Sequence, residues 1–141
     1  MARIAVVPGD GIGREVIDQG VRVLQALQPD LEYEWFDLGA EKYLREGVTM
    51  PEGLMERWRD EFDCIYLGAL GDPRVKSNVH AKEILLGARF QLDLFINLRP
   101  IKLLDARYCP IKNKGPEDLD IMVFRENTEG LYTGIGGQFK R

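Results

Sequence analysis

The apolar positions change period several times along the chain, and each change predicts an element. Arg3-Ile-Ala-Val-Val7 is an apolar run closed by Pro8-Gly9. That pattern predicts a buried strand feeding a turn. From Gly13 to Leu27 the apolar residues Val16, Ile17, Val21, Leu24 and Leu27 recur at helical spacing, which predicts a helix with one core-facing stripe. Leu31–Asp37 alternates, with Leu31, Tyr33 and Trp35 on one side and Glu32 and Glu34 on the other. This is the signature of a half-exposed strand. Ala40–Glu46 reads as a short helix stopped by Gly47. Pro51 suits the first position of another helix running to about Asp60.

Cys64–Leu67 predicts a third strand, followed by the turn-rich Gly68–Pro73. Ala81–Phe90 reads as a helix, and Leu94–Arg99 as a strand stopped by Pro100. Asp105–Leu119 is a polar crossover, Leu119–Phe124 the last strand, and Arg125–Gly137 a glycine-rich loop. Strands alternating with helices predict an α/β fold, a mostly parallel sheet with flanking helices. No internal repeat breaks this pattern.

Composition excludes several function classes. The chain has 141 residues, 45% hydrophobic and 30% charged, which is ordinary for a globular protein and excludes disorder. The net charge is 19 − 23 = −4. With Lys112–Lys114 and Lys140–Arg141 as the basic cluster, and no aromatics between them, this argues against nucleic acid. The apolar stretches Ile4–Val7 and Cys64–Leu70 are far short of a membrane span. Met-Ala-Arg followed directly by a strand predicts no signal peptide. Cys64 and Cys109 form neither a disulfide framework nor a metal motif, and Cys64 is expected as a buried thiol. A cytoplasmic location follows as an expectation.

Three stretches could carry chemistry. Pro8-Gly-Asp-Gly-Ile-Gly13 joins a strand to a helix, where free N–H groups and the helix dipole favour anions. Its glycine spacing departs from the dinucleotide fingerprint, so a plain tight turn is an equal reading. Arg89, Arg99 and Arg125 sit near helix or strand ends, where ligands gather in open α/β sheets. A single arginine ordinarily makes a weak surface ion pair. Three converging would hold a di- or tricarboxylate. Arg125-Glu-Asn-Thr-Glu-Gly-Leu-Tyr132 has the look of a site loop. Its Tyr132 could act as a general acid if nearby cations lower its pKa, or be a tyrosine half buried under a loop. His80 has no acidic or Cys partner at ligand spacing and reads as a loop or helix-start residue rather than a ligand.

Taken in order, Gly9-Asp-Gly-Ile-Gly13, Asn97-Leu-Arg-Pro100 and Arg125-Glu-Asn-Thr-Glu-Gly130 with Tyr132 resemble the β-decarboxylating dehydrogenases. That family includes the 3-isopropylmalate, isocitrate, homoisocitrate and tartrate/D-malate enzymes. The resemblance implies a fold of isopropylmalate dehydrogenase type rather than a Rossmann fold. It implies oxidative decarboxylation of a (2R)-malate-type acid with NAD or NADP and Mg²⁺ or Mn²⁺. By motif position, Arg89, Arg99 and Arg125 are the carboxylate clamps, and Tyr132 protonates the enol. Ile12 lies near the nicotinamide, with Glu83 also on the cofactor side. Leu85 and Leu86 resemble the apolar isopropyl pocket, whereas Glu126–Glu129 is closer to the isocitrate and tartrate branches.

Family members are more than twice as long as this chain. The resemblance therefore implies residues 1–98 as part of a first domain and 99–141 as the start of a second. The metal ligands and the adenine-binding loop lie beyond the matched portion. The portion alone is expected to be inactive, with an unpaired sheet edge and an uncovered apolar face. A homodimer is implied as well. Two rivals are a carboxylate-binding regulatory subunit of the same family and a generic nucleotide-binding α/β domain.

Overall fold

A computed structural model describes residues 1–140, so Arg141 of the basic cluster lies outside the described residues. Contacts divide the chain into one unit over Met1–Leu92 and a second from Asp93 onward.

In the first unit, strand β1 (Arg3–Gly9) is followed by helix α1 (Ile12–Leu27) and strand β2 (Glu32–Trp35). Helices α2 (Ala40–Glu46) and α3 (Leu54–Glu61) lead to strand β3 (Cys64–Ala69) and helix α4 (Val79–Gln91). The sheet order is β2-β1-β3, and both pairings are parallel. The central strand is apolar because it is covered on both faces. Successive side chains of β1 point to opposite sides. Ala5 and Val7 therefore join Leu38, Leu54, Met55, Trp58 and Ile84 in one core. Ile4 and Val6 join Ile17 and Val21 of α1 in the other.

Several boundaries differ from the sequence expectation, each for a physical reason. Only Ile17 and Val21 of the apolar stripe of α1 are buried, while Val16 and Leu27 are exposed. The α3 helix starts at Leu54 rather than Pro51, because Gly53 is left-handed (φ 76°) and breaks the turn before it. Cys64 is exposed, not buried, since it opens an edge strand paired only to β1.

The second unit is a hairpin of β4 (Ile96–Lys102) and β5 (Asp120–Glu126). Its strands are antiparallel and form a separate two-stranded sheet. Pro100 does not stop β4. A proline lacks only the N–H, and β4 has a partner on one side only. The connection is polar, with short helical turns at Ala106–Tyr108 and Pro116–Asp118. Among the described residues no helix is long and apolar enough to cross a membrane.

Candidate functional site

The first unit places its candidate residues around the β1–α1 turn and along α4. Gly9 and Gly11 have φ of 74° and 49°, values that favour glycine. A Cβ on Gly13 would overlap the carbonyl oxygen of Pro8 and crowd the Ala69 backbone. Gly9 and Gly13 therefore serve close backbone packing of β1, α1 and β3, while Gly11 serves the turn's conformation alone. The Gly13 and Arg14 amides are already engaged by the Asp10 and Gly11 carbonyls. What the turn presents outward is Ile12, 59% exposed at the start of α1. An exposed aliphatic side chain fits the flat face of a ring better than a phosphate. Beside the turn, at the carboxyl ends of β1 and β2, a cavity of about 370 Å³ is lined by residues including Gly9, Arg14, Trp35 and Asp37.

Asp10 is the residue that sequence reasoning missed. Its carboxylate is buried, with Oδ1 accepting from the Ala40 amide at 2.6 Å. Oδ2 accepts from the Gly71 amide at 2.8 Å and lies 2.8 Å from Nε2 of His80. His80 starts a helix, as expected, but it is fully buried. Its acidic partner is 70 residues away in sequence, so no local spacing could reveal it. The signal that was available is an acid set between two glycines directly after a strand.

Along α4, Glu83 accepts a hydrogen bond from the Thr49 hydroxyl. Leu85 and Leu86 are half-buried, and Arg89 is half-buried in the last turn.

The second unit brings Arg99, Arg125 and Tyr132 together. In the hairpin register Asn97 faces Arg125, and Arg99 faces Val123. Side-chain alternation then puts Asn97, Arg99 and Arg125 on one face. Nε of Arg99 donates to Oδ1 of Asn97 at 3.0 Å. The Arg125 guanidinium lies over the Tyr132 ring, 5.3 Å from its centroid, a cation–π arrangement. Among the described residues, Arg99 and Arg125 of the hairpin have no carboxylate partner, nor do Arg14, Arg22 and Arg89 of the first unit, whereas Arg3, Arg45, Arg57, Arg59, Arg74 and Arg107 do. Unpaired guanidinium groups on one face are free to receive an anionic ligand.

Glu126 shapes the loop between Arg125 and Tyr132. Its Oε1 accepts from the Thr128 amide and hydroxyl at 2.7 and 2.6 Å, and its Oε2 from the Glu129 amide at 2.7 Å. The Thr128 hydroxyl, with backbone amides behind it, lowers its pKa to about 2. Asn127 is buried, and its Oδ1 has no partner among the described residues. No group of three or more His, Cys, Asp or Glu able to hold a metal ion occurs among the described residues.

The profile of the family described as isocitrate/isopropylmalate dehydrogenase matches residues 3–141. The 3-isopropylmalate dehydrogenase of Bifidobacterium longum (strain DJO10A) is 49% identical over 142 residues, covering 99% of this chain and 40% of that protein. The crystal structure of a beta-decarboxylating dehydrogenase from Thermococcus kodakarensis superposes with a TM-score of 0.72 at 36% identity, covering 98% of this chain and 37% of that one. The isocitrate dehydrogenase from Methylococcus capsulatus gives a TM-score of 0.78 at 27% identity, covering all of this chain and 39% of that one. The chain thus spans about 40% of the length of the curated relatives it matches.

Proposed function

Because the chain belongs to the isocitrate/isopropylmalate dehydrogenase family, we propose that the complete protein oxidatively decarboxylates a (2R)-malate-type acid with NAD or NADP. The observation that carries the reading is the hairpin face on which Arg125 lies over Tyr132, with Arg99 beside it and no internal carboxylate on either cation. Arg89, Arg99 and Arg125 bind the carboxylates of the malate backbone, where each charged hydrogen bond contributes roughly 1.5–3 kcal/mol. Leu85 and Leu86 receive the third substituent. Their apolar character supports an alkylmalate such as 3-isopropylmalate, while isocitrate, homoisocitrate, D-malate and tartrate remain the competing substrates.

Bound NAD or NADP supplies the hydride acceptor. Ile12 is read as flanking its nicotinamide end, and Glu83, which accepts from the Thr49 hydroxyl, as a second residue on the cofactor side. Tyr132 holds the proton delivered to the enol carbon after the 3-carboxylate departs as CO₂, the role of a positioned general acid. Mg²⁺ or Mn²⁺ belongs to the proposal, but the described residues of this chain do not assemble its site.

Residues 1–98 are read as part of a first domain and 99–141 as the start of a second, in a cytoplasmic homodimer. The test is the complete protein with each of the five acids, both cofactors and Mg²⁺. Reduction of either cofactor with at least one acid is expected. Binding of the acids without reduction would favour the carboxylate-binding subunit instead, and neither binding nor reduction would remove both.

A further inference from the structure

We propose that the buried Asp10–His80 pair is a positioning element that fixes the helix carrying Leu85, Leu86 and Arg89 relative to the turn carrying Ile12. It rests on the function proposed above, which places those residues on the substrate side and the cofactor side of one site.

The start of α4 is not fixed locally. Its N-cap, Asn78, makes no side-chain capping bond. Ser77 and Asn78 before it are both left-handed, with φ of 59° and 48°. Asn accepts that conformation more readily than most residues, but two in succession, one of them Ser, carry a cost that surrounding contacts must offset. The hydrogen bond that meets the first turn of α4 from outside the helix is the 2.8 Å bond between Nε2 of His80 and the Asp10 carboxylate.

The other end of that bond is equally tied down. Asp10 lies between two left-handed glycines, one residue ahead of α1 by way of Gly11. Its carboxylate also takes the Ala40 amide at the start of α2 and the Gly71 amide after β3. Tyr43 of α2 stacks on the imidazole, with ring centroids 6.3 Å apart and planes 20° apart. One carboxylate therefore joins the β1–α1 turn, α2, the β3 exit and α4.

Core filling does not account for the histidine. Nδ1 of His80 is buried with no partner among the described residues. A leucine or phenylalanine would fill the space without stranding a polar atom. The bond made by Nε2 is what the imidazole adds.

The test uses the complete protein, with kinetics taken at a temperature where every variant is folded. His80→Leu removes the donor and keeps the bulk. His80→Gln carries an amide N–H at a similar reach. In His80→Leu, kcat/KM should fall about 10- to 100-fold, since small misplacements of reacting groups have effects of that size. The KM for the acid should rise and kcat should fall together, because α4 moves against Ile12. His80→Gln should recover most of the loss. If His80→Leu does not fold, His80→Asn, whose shorter amide cannot span the gap, is compared with His80→Gln in its place. A lower melting temperature with unchanged kcat and KM overturns the proposal, because it shows a purely structural histidine. An active wild type is the control that separates the two ideas. A wild type inactive on every acid overturns the proposed reaction, and the catalytic role of the pair with it.

Discussion

The guanidinium of Arg125 lies over the ring of Tyr132 at 5.3 Å, and the loop between them is held in shape by Glu126. The cation and the phenol are thus one structural unit, not two residues of a flexible loop. Arg125→Ala in the complete protein should lower kcat by about 10²–10⁴, the usual range for a general acid and its support. The melting temperature should change little. Arg125→Lys should recover only a small part, because an ammonium neither stacks as a plane nor binds a carboxylate through a fork. Equal losses of turnover and stability would assign Arg125 a structural role.

Glu126 gives that loop a pH dependence of definite sign. Its pKa falls from an ordinary 4.5 to about 2 in the folded loop, chiefly through the Thr128 hydroxyl. A depressed carboxyl pKa stabilises the loop above the open-chain value and loses that contribution as the proton binds. The Thr128 and Glu129 amide resonances should therefore shift in a transition centred near pH 2, well below the ordinary 4.5. In Glu126→Gln they should be flat across the same window. A transition retained in that variant would mean that another group holds the loop.

Two glycines of the first turn should tolerate alanine differently. Gly11 has open space around the site of a Cβ, so Gly11→Ala meets only an unfavourable backbone conformation. Its cost is roughly 1–3 kcal/mol. At Gly13 the added methyl meets backbone atoms of Pro8 and Ala69, which cannot turn aside as a side chain can. Gly13→Ala should cost more than Gly11→Ala and reach or pass the top of the overpacking range of about 1–3 kcal/mol. Urea unfolding of both variants gives the ranking.

Trp58 anchors the larger core, 2% exposed and edge-on to Phe36 with centroids 5.7 Å apart. Trp58→Ala should cost about 3–5 kcal/mol. Trp58→Phe should cost markedly less, since the Trp58 Nε1 is buried with no partner among the described residues and phenylalanine removes it. Equal costs in thermal melts would show that this N–H has an acceptor in solution.

Local pattern carried the elements, and long-range pairing escaped it. The α2 helix has the limits that its apolar pattern and Gly47 predict, because both signals are local. The strand β1 was legible because a covered central strand is apolar throughout. Pro100 misled, since its effect depends on which side of β4 has a partner, and the sequence does not say. Val16 and Leu27 misled for a similar reason: they are apolar, but only the Ile17–Val21 stripe faces the sheet. At the site, Arg99 and Arg125 stood out as arginines expected at strand ends, but Arg99 lies inside β4 because that strand runs on past Pro100. The face that Asn97, Arg99 and Arg125 share depends on the β4–β5 register. Asp10 and His80 each looked ordinary in their own neighbourhood.

The Asp10 carboxylate also orders events during synthesis. Its three partners follow it by 30, 61 and 70 residues. At the usual pace of translation, His80 is added roughly 4 to 14 seconds after Asp10. Until then the nascent turn carries a charge destined for burial and kept in water by the absence of its partners. The full set of bonds to Asp10 is therefore completed only once the start of α4 has been made.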